Sequence, residues 1–155
     1  MKRRHTYTML DVMLASTTDP MPADKRIYQS THIEQALHAI QSSQNPDKGD
    51  WQLLSDAVNL SETLVQMGEL NDDSGLLGVA VQSMARAAER HKRGHPIRLD
   101  GEGLAAVQSI VEAYTDAIRY LPHRVMLVCH RATETRIWDI LNNKTQAHDV
   151  VVTTL

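Results

Sequence analysis

The sequence has no phenylalanine and little aromatic character, with two tryptophans and four tyrosines in 155 residues. A hydrophobic core must therefore come from leucine, isoleucine, valine, alanine and the seven methionines. This palette is common in helical bundles, and methionine makes such cores adaptable rather than rigid. Hydrophobic residues form 42% and charged residues 23% of the chain, which is typical of a globular protein.

The chain has one cysteine, Cys129, so no disulfide can form within it, and this usage is typical of a reducing compartment. No uninterrupted apolar run approaches the ~18 residues of a membrane-spanning helix. The first residues are basic, but Thr8 and Asp11 interrupt the apolar stretch that a signal peptide needs. We therefore expect a cytoplasmic protein that does not associate with a membrane.

Motifs of catalysis and of metal binding are also missing. The sequence contains no nucleophile elbow, no His-Glu-x-x-His, no phosphate-binding glycine loop and no dinucleotide fingerprint. His123 and His130 would lie about 10 Å apart along a helix, too far to share one ion. One cysteine cannot build a thiolate zinc site alone. We expect a non-enzymatic protein with no metal and no cofactor.

Helical periodicity is what the sequence does have. Apolar residues recur at steps of three and four in five segments, and proline, glycine or polar loops separate these segments. The predicted helices span residues 23–43, 50–67, 74–92, 100–121 and 122–141. The predicted inward-facing residues of the last helix are Val125, Val128, Cys129, Ala132, Ile137, Ile140 and Leu141. Short loops between helices favour antiparallel neighbours. The predicted fold class is all-α, an antiparallel bundle of four to five helices with extended N- and C-terminal segments.

The two ends of the chain are predicted to differ from the bundle domain, which spans residues 22–142. Residues 1–21 form an N-terminal arm, either a short helix or an extended segment, and its apolar patch comprises Met9, Leu10, Val12, Met13 and Leu14. Such a patch is unfavourable in water, so the arm packs on its own domain or on a second copy. Residues 143–155 form a C-terminal tail whose "VVVTTL" favours a short strand or an extended clasp.

The segment "RHKRGHPIRLDG", residues 90–101, carries the densest positive charge. Three interpretations are open. The cations could stabilise the C-terminal end of the third predicted helix and keep the following loop solvated, they could bind a protein partner, or they could bind nucleic acid. Arg124 and Arg131 are seven residues apart on the fifth predicted helix, so they share a face. If the third and fifth helices lie side by side, a basic stripe follows. The candidate binding residues are Arg90, Lys92, Arg93, Arg98, Arg124, Arg131 and Trp138, the last as either an interface anchor or a core residue.

Charge is separated along the chain, although the net charge is only −3 with histidine neutral. Acidic residues concentrate in residues 47–73 and basic residues in 86–98. Opposite patches on one molecule favour self-association or a charged partner, but the same acids also suit helix starts and solvated faces. The chain has no overall excess of basic residues, so its net charge does not favour nucleic-acid binding.

Several stretches, among them "MKRRHTYTMLDVMLAST", "DAVNLSETL", "HKRGHPIRLDGEGLAAV" and "LPHRVMLVCHRATETRIWDIL", resemble small helical proteins of uncharacterised activity encoded on proteobacterial plasmids, prophages and integrated elements. The resemblance covers most of the chain and supplies no catalytic residues. It implies a bacterial accessory protein, cytoplasmic in its host, that acts on a host or element-encoded partner.

The prediction from these features is a protein that works through protein–protein interaction, as a homodimer, and that modulates or inhibits host machinery. The alternative is a small nucleic-acid-associated regulator that uses the basic stripe. Neutralising Arg90, Arg93 and Arg98 would separate the two, because it abolishes binding only in the second.

Overall fold

The computed structural model describes residues 5–42 and 45–142, and every regular element in these ranges is helical. The all-α class predicted from the sequence is therefore confirmed. The predicted C-terminal tail, residues 143–155, and the first four residues of the arm lie outside the described residues. The helices are α1 (Met9–Leu14), α2 (Ala23–Gln41), α3 (Lys48–Gln66), α4 (Leu76–Lys92), α5 (Gly101–Tyr120) and α6 (His123–Leu141).

Helices α2 to α5 form the bundle, and α3 is its central member. The α3 helix packs against α2, α4 and α5, while α2 and α5 also contact each other. The α2 and α5 helices are antiparallel, because Gln41 at the end of α2 bonds Gln108, whereas Arg26 near its start reaches the carbonyl of Arg119. The fully buried side chains of α3 include Trp51, Leu54 and Leu64.

Helix ends follow the capping residues that local sequence supplies. Asp47 accepts from the backbone N–H of Asp50 at the start of α3, and Asp100 accepts from Gly103 at 2.7 Å at the start of α5. After α3 the chain turns at Gly68, whose φ of 77° lies in the left-handed region that favours glycine. The boundaries predicted from the sequence therefore lie within two residues of those observed, because a cap is decided locally.

The α6 helix packs across the outer side of α3. Cys129 donates to the carbonyl of Leu60, the Thr133 and Thr63 hydroxyls lie 2.6 Å apart, and Arg136 bonds the carbonyl of Asn59. These contacts bury Cys129 and Thr133 and leave other positions outside.

Part of the predicted inner face of this last helix was therefore wrong. The sequence pattern assigned Val128, Ala132 and Leu141 to the interior, yet all three are exposed. Met126 and Leu127 are buried instead, because α6 contacts α3 on one side and receives the arm on another. Among the described residues, no helix is both long and apolar enough to cross a membrane.

Candidate functional site

The basic residues near the end of α4 are exposed, except for Arg90, which is half-buried. Arg90 donates to the carbonyl of Arg98 at 2.7 Å, and Lys92 pairs with Glu89 at 3.2 Å. Arg93 and Arg98 are exposed, and neither side chain has a hydrogen-bond or ion-pair partner in the part of the chain that the structure describes. Arg93 and Arg98 therefore stay available to a ligand, whereas Arg90 and Lys92 are engaged by these contacts.

The other two predicted arginines have a different role, because they hold the N-terminal arm. Arg124 donates from Nε to the carbonyl of Ala15 at 3.2 Å and from a terminal nitrogen to that of Met13 at 2.6 Å. Arg131 donates to the carbonyl of Tyr7. A continuous basic stripe would need α4 and α6, the third and fifth predicted helices, to lie side by side. Instead α4 packs mainly on α3 and α5, and α6 packs mainly on α3 and α1.

Further contacts fasten the arm along α6. Glu134 accepts from the backbone N–H and hydroxyl of Thr6 and lies 3.1 Å from the His5 ring. Burial opposes ionisation of Glu134, but the hydrogen bonds from Thr6 and His5 outweigh it and lower the pKa. The N–H groups that open α6 donate to arm carbonyls, those of Asp19 and Ser16. The arm is thus a fixed part of this face.

A small apolar cluster lies beneath the arm. Val12 and Ala15 are buried against Leu127, and Tyr7 packs beside them. Tyr7 also meets the His130 ring edge to face, with centroids 5.3 Å apart. One face of α1 is therefore inside the protein.

The opposite face of α1 is apolar and faces solvent. Met9, Leu10, Met13 and Leu14 are between 57% and 76% exposed. They occupy positions i, i+1, i+4 and i+5, so they share one side of the helix. We call these four residues the α1 patch. A hollow of about 280 Å³ borders the patch and is lined by residues that include Asp11, Leu14 and Lys25.

Trp138 lies near the end of α6 and is half-buried. Its carbonyl accepts from the side chain of Asn142 at 2.8 Å, which closes the helix. The indole is therefore partly covered by its neighbours, between the two predicted roles of a core residue and an exposed interface anchor.

A second opening lies between α2 and α6, and sequence analysis did not predict it. We call it the α2–α6 groove. Its floor comes from α3 and from Tyr114 of α5, and it consists of two neighbouring chambers of about 240 Å³ and about 230 Å³ that share lining residues. The shared residues are Asp56, Leu60 and His130.

The groove holds ionisable groups in apolar surroundings. Asp56 stays in contact with solvent at the rim, and partial desolvation raises its pKa against the lowering effect of the Gln52 hydrogen bond. Burial lowers the pKa of His130, although Glu134 acts in the opposite direction. Burial also raises the pKa of Tyr114. The histidine and the tyrosine are therefore neutral near pH 7, and both can give or accept a hydrogen bond there.

The described residues contain no cluster of side chains suited to binding a metal ion. No group of three His, Cys, Asp or Glu side chains within residues 5–42 and 45–142 could hold an ion. Cys129 is a buried free thiol whose pKa burial raises to about 11, so it is unreactive at neutral pH.

Comparison of the chain with protein-family models, with curated proteins and with solved structures finds no match.

Both surfaces were difficult to find in the sequence for a physical reason. The sequence shows that the patch residues are apolar, but whether they are covered depends on how α1 docks on α6. The groove joins residues from four helices, such as His32, Asp56, Tyr114 and His130, that are up to 98 positions apart. The one local signal was Asp56, an acid one position before the buried pair Ala57 and Val58.

Proposed function

We propose that this protein acts by binding protein through the α1 patch, and that the occupant of the patch is a second copy of this chain. The observation that carries the proposal is that α1 is held in place on one face and exposes an apolar surface on the other. Arg124, Arg131 and Glu134 hold the arm rigidly, while the arm presents four large apolar side chains to water. An apolar face that is both fixed and exposed is a feature of interaction surfaces.

Self-association is supported by the composition of the patch and of its border. A two-fold interface needs a surface that is complementary to itself. Methionine and leucine side chains adapt to one another, so the patch meets this need. Asp11 and Lys25 border the same hollow beside it, and a two-fold axis can bring opposite charges from two copies together.

The expected affinity follows from the exposed area. Covering a side chain that is about two thirds exposed contributes about 1–2 kcal/mol, so eight side chains from two copies contribute about 8–16 kcal/mol. Association costs about 4–15 kcal/mol. The two ranges overlap, so the net gain runs from none to about 12 kcal/mol, and a dimer that forms between micromolar and millimolar concentration, at about 4–8 kcal/mol, lies within it.

Sedimentation velocity over ~1 µM to ~1 mM, the range in which such a dimer changes its occupancy, tests the proposal. We expect the wild type to shift from monomer to dimer and Met13→Lys to remain monomeric. Ile27→Lys is the matched control, because Ile27 is 66% exposed on α2 and Met13 is 67% exposed on α1. A wild type that stays monomeric throughout, or equal dimerisation of the Met13 and control variants, would overturn the proposal.

The proposal places this interaction in the cytoplasm, and the buried, unpaired thiol of Cys129 supports that location. Catalysis is not part of it. The role on host machinery and the mobile-element origin implied by the resemblance stay predictions. The nucleic-acid alternative loses support from Arg124 and Arg131, because both are engaged by arm carbonyls. Of the cations near the end of α4, Arg90 and Lys92 are also engaged, so this alternative is left with Arg93 and Arg98.

A further inference from the structure

The Tyr114 hydroxyl lies in the α2–α6 groove without a partner. The residue is 2% exposed and lines the larger chamber, and its hydroxyl makes no hydrogen bond within the described residues. This hydroxyl is not among the fully enclosed side-chain polar atoms that lack a partner, so it keeps some contact with solvent through the chamber. This hydroxyl is therefore available to a ligand that enters the groove.

Asp56 provides a negative charge in the same chamber. Its carboxylate accepts one hydrogen bond, from Gln52 at 2.8 Å, and forms no ion pair within the described part of the chain. The neighbouring wall residues Leu53, Ala57 and Leu60 are apolar. The carboxylate is exposed at the rim of the chamber, so a cation that enters can lie beside it and gain an electrostatic attraction that the apolar wall residues do not supply.

Aromatic and imidazole rings complete the walls. The rings of Tyr28 and His32 are in contact, with centroids 4.1 Å apart and planes tilted by 39°, and Tyr28 is 66% exposed. The His32 Nδ1 lies 2.8 Å from the Tyr28 carbonyl, which can only accept, so Nδ1 carries the proton. His130, on the other wall, makes no hydrogen bond within the described residues and keeps both ring nitrogens available. Aromatic faces attract cations as well as apolar rings.

We propose that the α2–α6 groove binds a small cationic amine with an apolar or aromatic body. Asp56 is its counter-ion, Tyr114 is its hydrogen-bond partner, and Tyr28 with Leu53 and Leu60 covers its apolar part. This site is separate from the α1 patch and does not depend on the proposed self-association.

The size of the chamber sets the size of the ligand. A cavity of about 150 Å³ accommodates benzene. The larger chamber, of about 240 Å³, therefore holds one ring with a short aminoalkyl chain. The neighbouring chamber, which shares Asp56, leaves room for a small substituent.

The test uses the full chain and three probes of one shape: phenethylamine, 2-phenylethanol and 3-phenylpropionate. Each probe is titrated into the protein, and binding is measured by amide chemical shifts and by calorimetry. We expect the amine to bind at least ~10-fold more tightly than the alcohol, and the anion not to bind. The shifts should centre on Tyr114 and His130. Equal affinity for the amine and the alcohol would overturn the proposal.

Variants assign the contacts. Asp56→Asn keeps the Gln52 hydrogen bond and should weaken the amine at least ~10-fold, while Tyr114→Phe should weaken it about 3- to 10-fold. Asp116→Asn is the control, because Asp116 is an exposed carboxylate of α5 outside the groove. Thermal unfolding confirms that each variant folds. Unchanged binding by Asp56→Asn would overturn the assignment.

A lysine side chain on another protein has the same amine chemistry. Nα-acetyl-lysine methylamide distinguishes a protein lysine from a small-molecule amine, because its amine is at the end of an aliphatic side chain on a residue flanked by two peptide groups. Binding of this probe in place of phenethylamine would assign the groove to a protein side chain and overturn the small-molecule assignment.

Discussion

Replacing Arg124 with alanine should release the N-terminal arm while the bundle stays folded. The guanidinium of Arg124 donates to the carbonyls of Ala15 and Met13, which are at the end of α1. Those carbonyls lack partners inside the helix, as at every helix C-terminus. The arginine therefore both satisfies them and places a cation at the negative end of the helix dipole.

The magnitude follows from the two bonds. Hydrogen bonds to a charged group contribute about 1.5–3 kcal/mol each, but Arg124 is only half-buried, so water replaces part of each bond after substitution. We expect a loss of about 2–4 kcal/mol in the free energy of arm docking. That loss corresponds to amide exchange in the arm about 30- to 700-fold faster than in the wild type.

Hydrogen exchange measured by mass spectrometry on peptides from residues 5–20 gives the readout. Arg86→Ala is the control, because Arg86 pairs with Asp100 on the exposed surface and such pairs contribute about 0–1 kcal/mol. Arg124→Lys, which keeps the charge but not the forked geometry, should give an intermediate rate. If the arm exchanges at the wild-type rate in Arg124→Ala, Arg124 does not hold the arm and is available to a ligand.

Two further predictions concern the bundle and the groove. A Cβ on Gly103 would lie 1.7 Å from the Ser83 hydroxyl oxygen, so Gly103→Ala should destabilise the fold by about 1–3 kcal/mol in urea unfolding, despite the helix preference for alanine. Adding Ser83→Gly should recover part of that loss, and a stabilised Gly103→Ala would show that α4 and α5 are not this close. Since burial lowers the pKa of His130 in the folded state, the unfolded chain binds more protons just below pH 6.5, so stability falls with acidification from pH 7 to 5. His130→Asn should flatten this loss, and an unchanged slope of stability against pH would refute the assignment.

Helix identity and helix ends could be predicted from the sequence because both depend on neighbours a few positions away. The step of three and four in α5 and the caps at Asp100 and Gly68 are complete within one or two turns. The position of a basic group at the end of α4 could be predicted for the same reason.

Contacts between distant segments could not be predicted, and they decide the candidate sites. The same pattern that predicts α6 does not say which neighbours it meets, so Val128 was assigned inward and is exposed. Arg124 was predicted to face a ligand, but the arm, 109 residues earlier, meets it in the folded chain.

The sequence by itself determined an all-α protein with a core built without phenylalanine, the boundaries of its five longer helices and its charge distribution, since each follows from composition or from local spacing. Only the tertiary structure decided that the arm docks on α6, that the α1 patch faces water, and that Asp56, Tyr114 and His130 share one groove. The physical reason is that burial and charge pairing depend on which surfaces meet, and those surfaces come from segments far apart in the chain.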